Sequence, residues 1–218
     1  MNPIEIFTKS SIEVSPSLIQ FEIGCEIELF LYQCLKMVRK EYEHIFIISF
    51  FDAYNVYLNY LTRVFGDEVL SVIPRSNVIS IFSKLEGGLE GSMPVIVGYI
   101  GKKLQKLEGR TLTVILGLDF YSVTFGEENL ARLYPNIVNF KSYREDIDTL
   151  IAMNTEVFSE RTIGIINNFS LNLAKLGLEE RNGNIDRYII IIRSIFPEYN
   201  LHKWYYKVES GKLTFYKG

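Results

Sequence analysis

The residues with the clearest potential for chemistry lie between positions 17 and 36. An apolar segment over residues 18–23 leads into Gly24, Cys25 and Glu26, and a helical pattern follows from Leu29. This order resembles a phosphate-binding loop, which reads G-x-x-x-x-G-K-[ST] because its backbone N–H groups, lysine and hydroxyl bind phosphates and Mg²⁺. The lysine and the hydroxyl are absent from this loop. The segment therefore has the predicted build of a phosphate site without the residues that hold a phosphate.

Acidic residues surround the loop where a cation would be needed. No lysine or arginine occurs between Lys9 and Lys36, but this segment contains Glu22, Glu26 and Glu28. Losing a charge-assisted lysine contact costs about 1.5–3 kcal/mol, and two like charges about 4 Å apart near a surface repel by about 4 kcal/mol. The sequence therefore predicts that the chain does not bind Mg-ATP, and it indicates no catalytic residue, metal ligand or cofactor.

Composition argues against several other classes of protein. With 218 residues, 48% hydrophobic and 22% charged, the chain is typical of one globular domain over residues 1–218. A net charge of −3 gives no overall attraction to nucleic acid or to an anionic membrane. The two histidines, His44 and His202, have the spacing of neither metal ligands nor a catalytic triad.

The N-terminus and the cysteines bear on the cellular compartment. Residues 1–7 lack the basic start and the long apolar core of a signal peptide, and no apolar run reaches the ~18 residues of a membrane-spanning helix. These features predict a cytoplasmic protein with no membrane partner. On one helix, Cys25 and Cys34 would be about 13 Å apart, too far for a disulfide, so two reduced thiols are expected.

Hydrophobic periodicity predicts strands that alternate with helices, which is typical of a mostly parallel sheet. The predicted strands cover residues 18–23, 44–50, 69–73, 112–119 and 162–167, and the predicted helices cover residues 29–36, 52–65, 93–107, 127–139 and 143–158. Asn182-Gly183 and Ser210-Gly211 then indicate two hairpins. The predicted fold class is α/β, with antiparallel strands at the C-terminal edge of the sheet.

This order of elements resembles the RecA-like ATPase core in its KaiC or RadA version. It is also similar to a family of proteins from hyperthermophilic archaea of the Pyrococcus type for which no activity is established. The resemblance extends over nearly the whole chain and implies a three-layer fold, but the Walker motifs are degenerate. It implies that Glu26 or a neighbour stands at the P-loop lysine position, and that Gly117 or Asp119 stands at the metal position of the Walker B strand. Asp52 falls where relatives carry catalytic glutamates, and we interpret it as the N-cap of the following helix.

The eroded motifs predict a non-catalytic RecA-like protein, a pseudo-ATPase that binds a protein or peptide partner in a regulatory role. In such folds a crevice lies at the carboxyl ends of the parallel strands. The residues predicted to line it are Gly24, Glu26, Asp52 and Asp119. An acidic crevice that excludes phosphate is suited to a peptide or to a partner's basic side chain.

Two alternative functions follow from other segments. The C-terminal strands interleave lysines with aromatic residues, and such a surface stacks unpaired bases while lysines contact phosphates, although edge lysines also prevent unwanted strand pairing. The residues concerned are Lys203, Trp204, Tyr206, Lys207 and Tyr216. A divergent nucleotide-binding protein would instead need the glycine-rich loop of residues 87–92 to hold an anion at the start of the next helix.

Overall fold

The computed structural model describes residues 1–73, 77–82, 91–142 and 144–216 of the chain. Its strands are β1 (Ser17–Phe21), β2 (His44–Phe50), β3 (Val78–Ile81), β4 (Thr111–Leu116), β5 (Ile147–Asn154), β6 (Asn172–Arg181), β7 (Asn184–Arg193), β8 (Lys203–Glu209) and β9 (Lys212–Tyr216). Within the described residues these strands form one sheet with the order β3-β2-β4-β5-β1-β6-β7-β8-β9.

The sheet is parallel from β3 across to β6 and antiparallel from β6 to β9. The two predicted hairpin turns are confirmed, since Asn182-Gly183 and Ser210-Gly211 all have positive φ, as the tight turns of β-hairpins require. The predicted mostly parallel sheet with antiparallel C-terminal strands is therefore confirmed.

Helices cover both faces of the sheet and complete three layers. The helices are α1 (Pro3–Glu13), α2 (Ile27–Val38), α3 (Ala53–Phe65), α4 (Val69–Val72), α5 (Met93–Leu104), α6 (Leu118–Phe125), α7 (Glu127–Val138) and α8 (Glu160–Asn168). Helices α1 to α4 share one hydrophobic core with Ile45 and Ile47 of β2, whereas α5 to α8 share a second core with Phe46 and Ile48. Side chains alternate between the faces of a strand, so a strand covered on both faces is apolar throughout.

Three predicted elements are wrong. Residues 143–158, predicted as a helix, contain β5 near the centre of the sheet; residues 162–167, predicted as a strand, lie in α8; and residues 69–73, predicted as a strand, include the short helix α4. Helix α8 forms despite its β-branched residues because the Ser159 side chain accepts a hydrogen bond from the Thr162 N–H. Helix α4 directly follows a 3₁₀ turn, Gly66–Glu68, which continues into it.

The sequence pattern did not predict strand β5, because this strand buries a charged residue. Asp148 is 1% exposed, and its carboxylate contacts Arg110 at 3.0 Å and Lys141 at 3.1 Å. It also accepts a hydrogen bond from the Tyr42 hydroxyl at 3.0 Å. A buried charge requires such partners, and since they lie on other elements the local pattern gives no sign of them.

Helix α1 was also missed, although the sequence carries a signal for it. Asn2 and Glu5 form a capping box, in which each side chain binds the backbone N–H of the other, and Pro3 opens the first turn. An Asn three residues before a Glu, with a Pro between them, is a recognisable helix start. Among the described residues, no helix has the length and apolarity needed to cross a membrane.

Candidate functional site

The loop between β1 and α2 uses its backbone N–H groups within the protein. The Glu22 N–H donates to the Leu176 carbonyl at 3.2 Å and the Cys25 N–H to the Glu22 carbonyl at 3.2 Å. The Ile23 N–H donates to the Glu156 carboxylate at 2.9 Å. A phosphate-binding loop needs these groups pointing at a ligand. Here three of them already have acceptors.

Cations of the antiparallel strands neutralise two of the loop's acidic residues. Lys175 of β6 contacts the Glu22 carboxylate at 3.1 Å. Arg187 of β7 contacts the Glu26 carboxylate at 3.6 Å and donates to the Gly24 carbonyl at 2.7 Å. The loop has no lysine or arginine nearby in the sequence, but the fold brings Lys175 and Arg187 to it.

Glu26 occupies the N-cap position of α2 in a left-handed conformation, with φ of 53°, and its side chain does not cap the helix. The carboxylate instead accepts a hydrogen bond from the Tyr60 hydroxyl of α3. The Tyr206 hydroxyl of β8 donates to the Cys25 carbonyl at 2.5 Å. Side chains of three elements, α3, β7 and β8, therefore hold this loop in place.

Asp52 does not cap α3 as predicted. It stands at the N-cap position, but its φ of 60° is left-handed and its side chain makes no hydrogen bond to the first turn, whereas capping side chains normally extend from β-region backbone. The buried hydroxyl of Ser49 accepts from the Tyr54 N–H at 3.0 Å instead. The helix is therefore capped from the strand before it.

Gly117 and Asp119, the two candidates for the metal position, lie where β4 turns into α6. Gly117 has φ of 82°, and a Cβ there would lie 2.4 Å from the Phe50 carbonyl oxygen and 2.9 Å from the Ala53 Cβ. Only glycine fits this close approach of β4 to β2. Asp119 lies in the first turn of α6, where the backbone N–H groups of the helix start partly offset the effect of burial, which raises the pKa of its carboxyl.

An apolar crevice of about 410 Å³ opens at the carboxyl ends of β1, β4 and β5, between α2, α3 and α6. Its rim consists of exposed apolar side chains, which are between 40% and 72% exposed: Ile23, Val56, Phe120, Val123 and Val157. A cluster of exposed apolar residues around a concavity marks a binding surface on many proteins. We call this site the apolar crevice.

Four polar side chains line the apolar crevice: Glu28, Tyr57, Asp119 and Asn154. Burial raises the pKa of Glu28, and the nearby Glu26 charge adds to the effect. Burial also raises the pKa of Asp119. The pKa of Tyr57 is well above its ordinary value because of burial and of the charges on Glu28 and Asp119. The two carboxylates therefore act on the same hydroxyl.

The predicted crevice residues do not all come together. Asp119 lines the apolar crevice, whereas Gly24 and Glu26 line an adjoining pocket of about 300 Å³. The two pockets share Phe21, Ile23, Ile27 and Glu28. Asp52 lines neither. Sequence reasoning missed Tyr57, for which the sequence carries no signal, and treated Glu28 only as part of the acidic loop.

The C-terminal strands present two different faces. Tyr188, Tyr205 and Tyr216 are directly opposed across β7, β8 and β9, so they share one face with Lys203 and Lys207. The side chains at positions 204 and 206 point to the other face, where Tyr206 is buried in the core and Trp204 packs against it. The predicted set Lys203, Trp204, Tyr206, Lys207 and Tyr216 therefore does not form one surface.

Cationic side chains of the chain itself already form cation–π contacts with the aromatic rings on the polar face. Lys203 lies 4.1 Å from the Tyr188 ring centre and Arg181 lies 4.3 Å from that of Tyr205. Lys203 also contacts the Glu179 carboxylate at 2.6 Å. A base that stacked on these rings would first have to displace these contacts.

Most of the glycine-rich loop of residues 87–92 lies outside the described residues. Of its described part, Ser92 precedes α5 without a side-chain capping bond. The described residues contain no cluster of three or more His, Cys, Asp or Glu side chains suited to a metal ion.

Comparison with solved structures defines the class of fold. The chain is similar to the crystal structure of KaiC-like protein PH0186 from the hyperthermophilic archaeon Pyrococcus horikoshii OT3, with a TM-score of 0.69 and 14% identity over 93% of this chain and 90% of that one. It is also similar to the structure of PH0250 from Pyrococcus horikoshii OT3, with a TM-score of 0.64 and 18% identity over 92% of this chain and 96% of that one. The chain therefore has a KaiC-like, RecA-type core.

The sequence itself matches no family model and no curated protein. At the identities found among solved structures, the likeness establishes the fold alone.

Proposed function

We propose that this RecA-type protein has lost ATP hydrolysis and acts as a regulatory binding module, whose apolar crevice takes a segment of a protein partner. The observation that carries the proposal is the ring of exposed apolar side chains around a concavity at the carboxyl ends of the parallel strands. This end of an open α/β sheet is where such folds bind ligands.

The loop geometry supports the loss of nucleotide binding. The N–H groups of Glu22, Ile23 and Cys25 have protein acceptors, and the Glu26 and Glu28 carboxylates lie at the positive end of α2, where they offset the helix dipole. A triphosphate at this position would have to displace these contacts and approach two carboxylates. Apolar side chains around the neighbouring crevice favour a partner that buries apolar surface.

The single-stranded nucleic-acid alternative has weaker support. Lysines and tyrosines do share one face of β7 to β9, but cation–π contacts within the chain engage the rings of Tyr188 and Tyr205. Fluorescence anisotropy with an oligothymidine probe tests this alternative. We expect no binding at low salt; an affinity that falls steeply with added salt and is lost in Lys207→Ala would favour it.

Site-specific photo-crosslinking in cells of the native host tests the protein-binding function. A photoreactive phenylalanine analogue replaces Val123, which is 69% exposed on the crevice rim, or Leu201, which is 74% exposed before β8. Leu201 lies at the opposite end of the sheet, because β7 runs antiparallel to β6. We expect a discrete crosslinked partner from position 123 and none from position 201. Equal products from both positions, or no product from position 123, would contradict the proposed function.

A further inference from the structure

The carboxylates at this end of the sheet fall into two groups. Glu22 and Glu26 contact Lys175 and Arg187, respectively. Glu28 and Asp119 form no ion pair in the described part of the chain, and burial raises the pKa of both carboxyls. The described residues that line the apolar crevice include no lysine, arginine or histidine. The crevice therefore holds two partly buried acids without a cationic partner.

The Tyr57 hydroxyl is another polar group of the crevice. It lines the same crevice as Glu28 and Asp119, and their charges raise its pKa further. Among the described residues the hydroxyl has no hydrogen-bond partner, and it lines the same crevice. A hydroxyl can accept one hydrogen bond and donate another. An ammonium group has three N–H donors, and a guanidinium has five, so either has enough donors for both carboxylates and the tyrosine oxygen.

Apolar side chains border these polar groups. Ile23, Val56 and Val123 are exposed and line the crevice together with Glu28 and Asp119. A salt bridge formed there would be shielded from water and would be stronger than one at an open surface. The volume of about 410 Å³ lies in the range of ligand sites and accommodates one long side chain with its neighbours.

We propose that the apolar crevice recognises a segment of a partner protein in which a lysine or arginine lies between apolar residues. The basic group binds Glu28, Asp119 and the Tyr57 hydroxyl, and the flanking apolar side chains cover the rim. This inference rests on the proposed function, because it names what the partner must carry. Charge complementarity argues for this occupant over a purely apolar or an acidic segment.

Selection from a random dodecapeptide display library against the immobilised full chain tests the inference. We expect the selected peptides to share a lysine or arginine flanked by apolar residues. Synthetic copies are then titrated against the wild type, the Glu28→Gln/Asp119→Asn double variant, Val123→Asp, and Glu41→Gln as a matched control. Glu41 is exposed before β2, at the opposite end of the sheet. The double variant keeps the side-chain shapes, and its melting curve verifies that it is folded.

The expected result is a loss of affinity of about thirtyfold or more in the double variant, as for removal of a shielded charge pair, and no change in Glu41→Gln. Selected peptides that lack a basic residue, and that lose binding in Val123→Asp but not in the double variant, would overturn this inference and leave the proposed function intact. Failure of the library to yield any peptide sensitive to Val123→Asp would count against both.

Discussion

At the scale of single residues, the electrostatic environment distinguishes the loop after β1 from the apolar crevice. Arg187 reaches both the Gly24 carbonyl and the Glu26 carboxylate, so the loop is electrostatically satisfied by the fold itself. Glu28 and Asp119 are not, and burial raises the pKa of each. Binding sites commonly carry such perturbed groups.

The raised pKa values of Glu28 and Asp119 predict a pH-dependent gain in stability when their charge is removed. A carboxyl whose pKa is higher in the folded state favours folding below its ordinary pKa, near 4.5 for Glu28 and 3.8 for Asp119, and this contribution is lost as pH rises through the raised value. Glu28→Gln and Asp119→Asn should therefore increase the free energy of unfolding at neutral pH. Urea denaturation across pH measures this.

The gain from these two variants should shrink as the pH falls from the raised pKa of each group towards its ordinary value, and it should be absent below the ordinary value, because the wild-type carboxyls are then protonated in both states. Glu41→Gln, on an exposed side chain, should change little at any pH. A gain that is constant with pH would show that packing rather than charge is responsible.

The two cysteines are predicted to be unreactive in the folded protein. Both are free and buried, and burial raises the pKa of Cys25 to about 11 and that of Cys34 to about 12. Since the thiolate is the reactive form, a thiol reagent at mild pH should label neither in the native state. Two equivalents should react after unfolding without a reductant. Rapid native labelling, or fewer than two equivalents after unfolding, would disagree with this structure.

At the scale of elements, local pattern predicted the strands whose side chains are apolar on both faces. Strands β2 and β4 and the two C-terminal hairpins lie where apolar runs and turn residues indicated. The local pattern did not indicate strand β5, because the charge of its buried Asp148 is compensated by Arg110 and Lys141, which belong to other elements. The loop after β1 was placed correctly, but its cationic partners could not be foreseen, since Arg187 lies 163 positions from Gly24 in the sequence.

The turn from β4 into α6 gives an element-scale prediction. Gly117→Ala adds a Cβ within 2.4 Å of the Phe50 carbonyl oxygen at a positive φ, so it should lower the free energy of unfolding by about 1–3 kcal/mol. Gly101→Ala is the matched control, since a Cβ in α5 would meet nothing within 4 Å. It should raise the free energy by about 0.5–1 kcal/mol. Urea denaturation at constant pH compares the two, and a similar effect of both would contradict the close approach at Gly117.

At the scale of the whole molecule, side chains of the C-terminal strands hold the loop at the carboxyl end of β1 in place. Lys175, Arg187 and Tyr206 come from β6, β7 and β8, and all three contact the loop that follows β1. The apolar crevice adjoins this loop, since both Ile23 and Glu28 line it. The interpretation as one domain over residues 1–218 and the cytoplasmic location stay predictions.

The claim on which both proposals rest is that this core does not bind nucleotide. Isothermal titration calorimetry of the full chain with ATP, ADP and GTP, each with Mg²⁺ at low salt, tests it most directly. We predict no heat of binding, because the N–H groups of Glu22, Ile23 and Cys25 have protein acceptors and the Glu28 carboxylate, which has no cationic partner among the described residues, repels a triphosphate. A dissociation constant below about 100 μM, equivalent to about 5.5 kcal/mol of binding free energy, would contradict the claim and make this end of the sheet a nucleotide site.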